Sequence, residues 1–313
     1  MQTKKWFRPT IRRFRRFLSP FPFDCPIFIL APPRSGSTFL YECLSRFHEL
    51  YTIGHESDPI WWDLFPYDRN SNSPDDHVSA AEVTQKKAQA LRGRLYLKAV
   101  GVTTARRGSH PPDLRYKLGV EPLRYLDKTI ANCFHLSVLR KVFPGARYIF
   151  LVRDPRANIS SMIEGWPYIE RFGKPQLTEY IQQTPNTTVD HWTYPAPPGW
   201  RDQISRPLPE ICAWSWKQHV EQVLDFVQSA DVESMTVRYE NLRVKTRQVV
   251  QSIAENMELE YNTEVRQHIQ SSPQSKTTVS EPEPGKWKRK NPEAIHSALP
   301  MVRKTANRAG YEI

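Results

Sequence analysis

The sequence predicts a single α/β domain in which a central parallel sheet is flanked by helices. Two strand–turn–helix units carry this prediction. The apolar run 26–31 has the length of a buried strand and leads through a short turn into residues with helical periodicity. The apolar run 148–152 leads in the same way through Pro155 into a second helix. Strands that alternate with helices in this order form parallel sheets with helices on both faces.

The remaining elements follow from local sequence patterns. Residues 94–101 are expected to form a strand, and residues 103–120, which carry Gly, Pro and mixed charge, a loop. Residues 164–209 are rich in Trp, Pro and Tyr and lack periodicity, so we expect a functional insertion or a lid rather than a plain connector. Further helices are expected at 134–143, 211–227 and 245–257, a short strand at 235–239, and a terminal helical region interrupted by Pro300.

Composition excludes several classes of protein. The chain has 313 residues, of which 39% are hydrophobic and 25% charged, as in globular domains. Its four cysteines include no CxxC pair, so neither a disulfide framework nor a cysteine-rich zinc site is expected. No apolar run has the length of a spanning helix, and the basic N-terminus does not resemble a secretory signal. We therefore expect a reducing, cytoplasmic location.

The net charge of +11 is concentrated at the two ends of the chain. Residues 1–23 contain seven Lys or Arg and no acid, and residues 286–308 contain seven Lys or Arg and one acid. The chain thus divides into a basic N-terminal arm, residues 1–23, and a domain, residues 24–313. The arm is either an amphipathic helix that touches anionic lipid or a solvated arm that packs on the domain. Because the body is near neutral, no nucleic-acid partner is expected.

A candidate phosphate-binding loop follows the first strand. Free N–H groups at a helix start bind anions, and the ATP-binding form of such a loop reads G-x-x-x-x-G-K-[ST]. Residues 31–38 read A-P-P-R-S-G-S-T, with Ser37 at the lysine position and one cation inside the loop. The pattern suits a shorter 5′ group without a metal, or else an ordinary turn into a helix. The candidate anion-binding residues are Arg34, Ser35, Gly36, Ser37 and Thr38.

A second candidate anion site follows the strand 148–152. This strand ends at Arg153, and Ser161 lies two helical turns further on. Strand ends of open α/β sheets face the ligand crevice, where Arg and a hydroxyl can hold a phosphate. The alternative is an ion pair between Arg153 and Asp154 at the strand end. Two anion sites at neighbouring strand ends suit a nucleotide that is phosphorylated at both its 5′ and 3′ positions.

Four motifs in the right order resemble the PAPS-dependent sulfotransferases, closest in style to their bacterial and tyrosylprotein-like branch. Residues 33–40 resemble the 5′-phosphosulfate loop, and residues 143–156 with Ser161 resemble the 3′-phosphate motif. Residues 237–242 resemble a later strand motif, and residues 285–288 the segment that closes over the nucleotide. The resemblance implies a single P-loop-like α/β domain. It also implies transfer of a sulfuryl group from 3′-phosphoadenylyl sulfate to an acceptor hydroxyl, with no metal.

The resemblance also gives the basic C-terminal segment a role. It implies that Tyr239, Lys286, Trp287 and Lys288 contact the donor nucleotide, where the lysines neutralise its charges and the tryptophan stacks on adenine. The alternative is a solvated run of charges in which Trp287 merely packs.

The catalytic residues are predicted from two short segments. Arg34 is placed to stabilise the leaving 5′-phosphate. Lys128 lies where similar chains carry Lys-Thr-Pro, although Ile130 replaces the proline, so a surface lysine is the alternative. Gly-His-Glu-Ser at 54–57 resembles the Gly-Glu-Glu-Thr segment that supplies a base in the tyrosylprotein branch, which implies Glu56, with His55 as its competitor. A solvated acid in a loop remains the third interpretation.

The predicted function is therefore sulfuryl transfer to a small-molecule, lipid or carbohydrate hydroxyl. That branch has an arginine where this chain has Asp58, so an acidic peptide acceptor is not expected. The aromatic residues of 164–209 either wall an acceptor pocket or pack in the core. Two other classes stay open: a P-loop kinase, and a basic protein that binds nucleic acid or touches a membrane through residues 1–23.

Overall fold

The computed structural model describes residues 21–67, 74–107, 114–173, 175–182, 184, 186–271 and 275–313. The predicted arm, residues 1–23, therefore lies almost entirely outside the described residues. Within them, the strands are β1 (Ile27–Leu30), β2 (Leu126–Lys128), β3 (Arg147–Val152) and β4 (Glu233–Arg238). All neighbouring strands are parallel, in the order β2-β1-β3-β4. This sheet, with helices packed on both faces, confirms the predicted α/β class.

The helices connect and cover the strands. In the first half of the chain they are α1 (Ser37–Leu44), α2 (Asp58–Leu64), α3 (Gln85–Arg107), α4 (Leu114–Lys117), α5 (Leu136–Val142) and α6 (Pro155–Gly165). They continue with α7 (Ile169–Phe172), α8 (Pro175–Gln182), α9 (Leu208–Ser229), α10 (Tyr239–Val244), α11 (Thr246–Met257), α12 (Thr263–Gln270), α13 (Trp287–Lys290) and α14 (Pro292–Arg308). Short 3₁₀ turns lie at Ala80–Glu82, Ile130–Phe134 and Trp200–Gln203.

The central strands β1 and β3 are buried on both faces. Phe28 and Phe150 belong to one hydrophobic cluster, whereas Ile29 and Ile149 belong to the cluster on the opposite face. Alternate side chains of a strand point to opposite sides of a sheet, so both sets of positions must be apolar. This explains why both strands appear in the sequence as continuous apolar runs.

The strand predicted at 94–101 is wrong, because these residues form the middle of helix α3. A strand would place residues 95, 97 and 99 on one face. Instead Leu95 and Ala99, four residues apart, are fully buried, whereas Leu97 is 48% exposed. The helix continues to Arg107, and α4 follows at 114–117, so the loop predicted at 103–120 is also partly helical.

The terminal helix α14 runs through Pro300, where an interruption is expected from sequence. An internal proline costs a helix about 3 kcal/mol because it removes a hydrogen bond and crowds the preceding turn. Here Pro300 is exposed, while Ile295 and Val302 are fully buried against the core. Burial of the apolar face offsets that cost.

The aromatic segment 164–209 contributes mainly to the core. Trp192 and Trp200 are fully buried, with ring centroids 4.9 Å apart, and Trp166 packs edge-on against Trp192.

No helix in the described part of the chain has the length and apolar character needed to cross a bilayer.

Candidate functional site

A cavity of about 850 Å³ opens where the loops after all four strands meet. Because the strands are parallel, their carboxyl ends lie at one edge of the sheet, where ligands bind in folds of this class. The cavity brings together most residues singled out from sequence: Arg34, Gly36, Ser37, Thr38, His55, Glu56, Lys128, Arg153, Ser161, Tyr239, Lys286 and Trp287. Ser35 and Lys288 do not line it.

The loop between β1 and α1 presents the start of a helix to this cavity. Its backbone is left-handed at Arg34, with φ of +65°, and at Gly36, with φ of +89°. Gly36 is the N-cap of α1, and no side chain caps the helix there. The first N–H groups of the helix therefore have no intrahelical partner. The Ser35 hydroxyl is buried without a hydrogen-bond partner among the described residues, but it does not face the cavity.

Gly36 has no room for a side chain. An added Cβ would lie 2.5 Å from Cδ2 and Cε2 of Tyr239, and the positive φ disfavours any L side chain. We expect Gly36→Ala to destabilise the protein by about 1–3 kcal/mol and to weaken donor binding. Urea unfolding measures the first effect. The matched control is Gly101→Ala at an exposed position of α3, where an added Cβ would meet nothing within 4 Å and where we expect stabilisation of about 0.5–1 kcal/mol. A Gly36→Ala variant as stable as Gly101→Ala would contradict this turn geometry.

Arg34 is a partly desolvated cation in the cavity. Its Nη1 donates to the carbonyl of Thr277 at 2.7 Å, and its guanidinium lies 4.7 Å from the ring centroid of Phe172. Its Nε is buried and has no partner among the described residues. Burial lowers the pKa of Arg34 from its usual value. A cation that has already lost water gains strongly from an anionic ligand.

Arg153 lies beside Arg34 and is likewise half-buried. Its Nη1 donates to the Arg34 carbonyl at 2.9 Å, and its guanidinium lies 4.5 Å from the ring centroid of Tyr239. Burial lowers the pKa of Arg153, and its Nε also has no partner among the described residues. Asp154 instead forms a 2.6 Å ion pair with Arg156 and caps α6. Arg153 is thus left facing the cavity that Ser161 also lines.

The segment 275–290 forms another wall. Lys286 Nζ donates to both oxygens of Glu164 at 3.1 Å, and the Ser280 hydroxyl donates to the same carboxylate at 2.6 Å. Burial opposes ionisation of Glu164, but the bonds from Ser280 and Lys286 hold its pKa below the usual value. Trp287 is 9% exposed and lies beneath the guanidinium of Arg156 at 5.7 Å. Lys286, which the sequence predicts as a contact of the donor nucleotide, is therefore paired with Glu164, an acid that the sequence analysis did not single out.

Glu56 and Lys128 meet at the end of β2. Lys128 Nζ donates to Glu56 Oε1 at 2.5 Å, and the side chains are 9% and 34% exposed, respectively. His55 is exposed, with its Nδ1 2.6 Å from the Glu56 carbonyl oxygen. Both candidates for the base therefore line the same cavity, and Glu56 is the one that contacts Lys128.

A buried polar network fixes the segments that carry Glu56 and Lys128 relative to each other. The fully buried carboxylate of Asp127 accepts from Asn132 Nδ2 at 2.6 Å, Tyr125 Oη at 3.0 Å and Ser57 Oγ at 3.2 Å. The Ser57 N–H in turn donates to Thr129 Oγ1 at 2.7 Å. Burial raises the pKa of Asp127, while these donors act against that shift. These hydrogen bonds link Ser57, which follows Glu56, to Asp127 and Thr129, which flank Lys128.

Other cavity residues come from segments without a recognised motif. Arg171, Phe172 and Tyr194 reach the cavity from the aromatic segment, and Lys276 and Thr277 from the loop before α13. Their sequence neighbourhood carries no periodic or motif signal. Among the described residues, no group of three or more His, Cys, Asp or Glu has the arrangement needed to hold a metal ion.

Comparison with known proteins gives a family match. Residues 26–197 match the model of a family described as the sulfotransferase family. Nodulation protein NoeE of Sinorhizobium fredii (strain NBRC 101917 / NGR234) is 25% identical over 180 residues, which cover 56% of this chain and 40% of that protein. The chain thus spans less than half the length of this curated relative.

Solved structures show a similar fold. Sulfotransferase STF9 from Mycobacterium avium superposes with a TM-score of 0.50 at 14% identity, covering 98% of this chain and 81% of that one. The sulfotransferase domain from the curacin biosynthetic pathway gives a TM-score of 0.49 at 17% identity, covering 94% of this chain and 100% of that one. The likeness to STF9 is one of fold alone.

Proposed function

Because the chain belongs to the sulfotransferase family, we propose that it transfers a sulfuryl group from 3′-phosphoadenylyl sulfate to a hydroxyl of a small-molecule, lipid or carbohydrate acceptor. One observation carries the proposal. Arg34 and Arg153 are half-buried, and their buried Nε atoms have no partner among the described residues. Both flank an uncapped helix start in the cavity that also holds the Glu56–Lys128 pair. A cytoplasmic location is part of the proposal, since all four cysteines are free thiols.

The residues present fit the donor. The N-terminus of α1, with Arg34, Ser37 and Thr38, would hold the 5′ group, and Arg153 with Ser161 the 3′-phosphate. Lys286 lines the same cavity from the wall formed by residues 275–290. The donor supplies the sulfuryl group, and these side chains bind and orient it. The two unpartnered Nε atoms support this assignment, because a polyanion supplies the acceptors that they lack.

In this proposal, the side chains that act on the acceptor lie at the end of β2. Sulfuryl transfer needs an acceptor oxygen that loses its proton and a cation that stabilises charge on the moving group. Glu56 would take the proton, and Lys128, hydrogen-bonded to it at 2.5 Å, would stabilise the transferred group. Buried Asp127 and Ser57 position both side chains without reaching the reacting atoms.

The assignment of the 3′-phosphate is tested by Arg153→Ala. We expect the affinity for adenosine 3′,5′-bisphosphate to fall by about 1.5–3 kcal/mol, roughly 10- to 150-fold, because a charge-assisted bond is lost. Isothermal titration calorimetry measures the change. The control Arg303→Ala, on the exposed side of α14, should leave the affinity unchanged. Equal affinities in both variants would remove Arg153 from the site.

The activity itself is tested by a screen with a radiolabelled sulfuryl donor against phenols, glycolipids and oligosaccharides. The kinase alternative rests on the loop after β1, which has Ser37 where ATP-binding loops have lysine. We expect EDTA to leave sulfuryl transfer unchanged, since no step in the proposal uses a metal. EDTA-sensitive phosphoryl transfer from Mg-ATP, with no sulfuryl transfer to any acceptor, would favour the kinase instead.

A further inference from the structure

Phe21 anchors the chain where it enters the described structure. Its N–H donates to the carbonyl of Gly119 at 3.0 Å, and its own carbonyl accepts from Arg92 Nη2 at 2.9 Å. Its ring packs over two glycines and leaves little room for a side chain at either. A Cβ added at Gly93 would lie 3.0 Å from the ring, and one added at Gly119 would lie 2.6 Å from it. The single ring thus brings α3 and the residues after α4 together at one point.

Three exposed aliphatic side chains surround that point. Leu118 and Val120 flank Gly119 and are 65% and 54% exposed, and Leu97 follows Gly93 by one helical turn and is 48% exposed. They are three of the five large hydrophobic residues exposed in the described part of the chain. We call Leu97, Leu118 and Val120 the aliphatic patch. Isolated exposed leucines are ordinary, but three around one anchor need an explanation.

The surroundings of the patch are basic. Helix α3 contributes Arg92, Arg94 and Lys98 near Phe21 and Leu97, and residues 114–120 add Arg115 and Lys117. Nearby acids neutralise part of this charge, because Arg94 pairs with Asp63 and Arg115 pairs with Glu121 at 2.7 Å. Among the described residues near the patch, five Lys or Arg thus stand against two acids, Asp63 and Glu121, and the net charge is positive.

This combination fits one kind of partner. A surface that binds nucleic acid uses cations and aromatic or polar groups rather than aliphatic tips. A stable protein interface needs a broad apolar centre, which three side chains do not provide. An anionic bilayer takes cations at its phosphates and a few aliphatic side chains below them. We propose that the aliphatic patch and the basic face around it dock on an anionic membrane surface.

Vesicle flotation of the full-length protein tests this proposal. We expect at least about tenfold stronger partitioning onto phosphatidylcholine vesicles that contain about 30% phosphatidylglycerol than onto phosphatidylcholine alone. The triple variant Leu97→Glu/Leu118→Glu/Val120→Glu should lose about tenfold of that binding, because it replaces the inserting groups by anions. The matched control is Val244→Glu, which changes a residue that is 80% exposed elsewhere and should bind as the wild type does.

Several results would overturn the proposal. These are equal partitioning onto both kinds of vesicle, no partitioning at all, or a triple variant that binds as well as the Val244→Glu control. A wild type that is dimeric in sedimentation velocity, a monomeric triple variant and no vesicle binding would assign the patch to self-association instead. Circular dichroism melting of each variant verifies that a loss of binding is not a loss of fold.

Discussion

Replacing Glu56 by Gln is expected to lower kcat by roughly 10²–10⁴-fold, with donor affinity unchanged. The amide keeps the size of the side chain and an oxygen that can accept from Lys128, so the 2.5 Å contact can persist. It removes only the ability to take a proton from the acceptor. Initial rates at saturating donor measure kcat, and calorimetry with adenosine 3′,5′-bisphosphate measures affinity.

His55 provides the matched comparison, because it lines the same cavity and adjoins Glu56 in sequence. If Glu56 is the base, His55→Gln should change kcat far less than Glu56→Gln does. The reverse order, with near-normal turnover in Glu56→Gln, would transfer the role to His55. Lys128→Met tests the role of the cation that contacts Glu56. It should lower kcat even if Glu56 is intact, because Lys128 stabilises the transferred group in the proposal.

Sequence patterns predicted the elements in which burial alone decides the residue type at every position. Both faces of β1 and β3 are buried, so their residues must be apolar throughout, and both strands could be recognised. Strand β2 could not, because its three residues include Asp127 and Lys128. The carboxylate of Asp127 is tolerated there because Asn132, Tyr125 and Ser57 donate to it, contacts that no local pattern reveals.

The candidate site shows the same division. The loops after β1 and β3 have recognisable motifs because a short run of adjacent residues forms each one. The contacts that complete the cavity join residues far apart in sequence, such as Arg34 with Thr277 and Lys286 with Glu164. Glu164 is one of five acids in the aromatic segment, and no pattern distinguishes it from the other four. The role of each residue in catalysis remains a prediction until variants are measured.

Arg34→Ala is expected to lower kcat/KM by roughly 10²–10³-fold, since this cation is assigned to the charge that develops on the leaving 5′-phosphate. The effect should be large because the guanidinium is already stripped of much of its water, with a buried Nε that lacks a partner among the described residues. A site that is desolvated and held in place before the ligand arrives needs little reorganisation when the charge develops. Steady-state rates with varied donor concentration measure the change.

Two further variants separate charge from packing at this position. Phe172→Leu removes the ring that lies 4.7 Å from the guanidinium but keeps the cation, so it should cost much less than Arg34→Ala. Arg34→Lys keeps a charge but loses the planar fork, one arm of which donates to the Thr277 carbonyl, so its rate should lie between the other two. If Phe172→Leu and Arg34→Ala were equally impaired, Arg34 would act by holding the aromatic segment in place. A loss confined to Arg34→Ala, with Arg34→Lys partly active, would instead identify a charge that stabilises the leaving group.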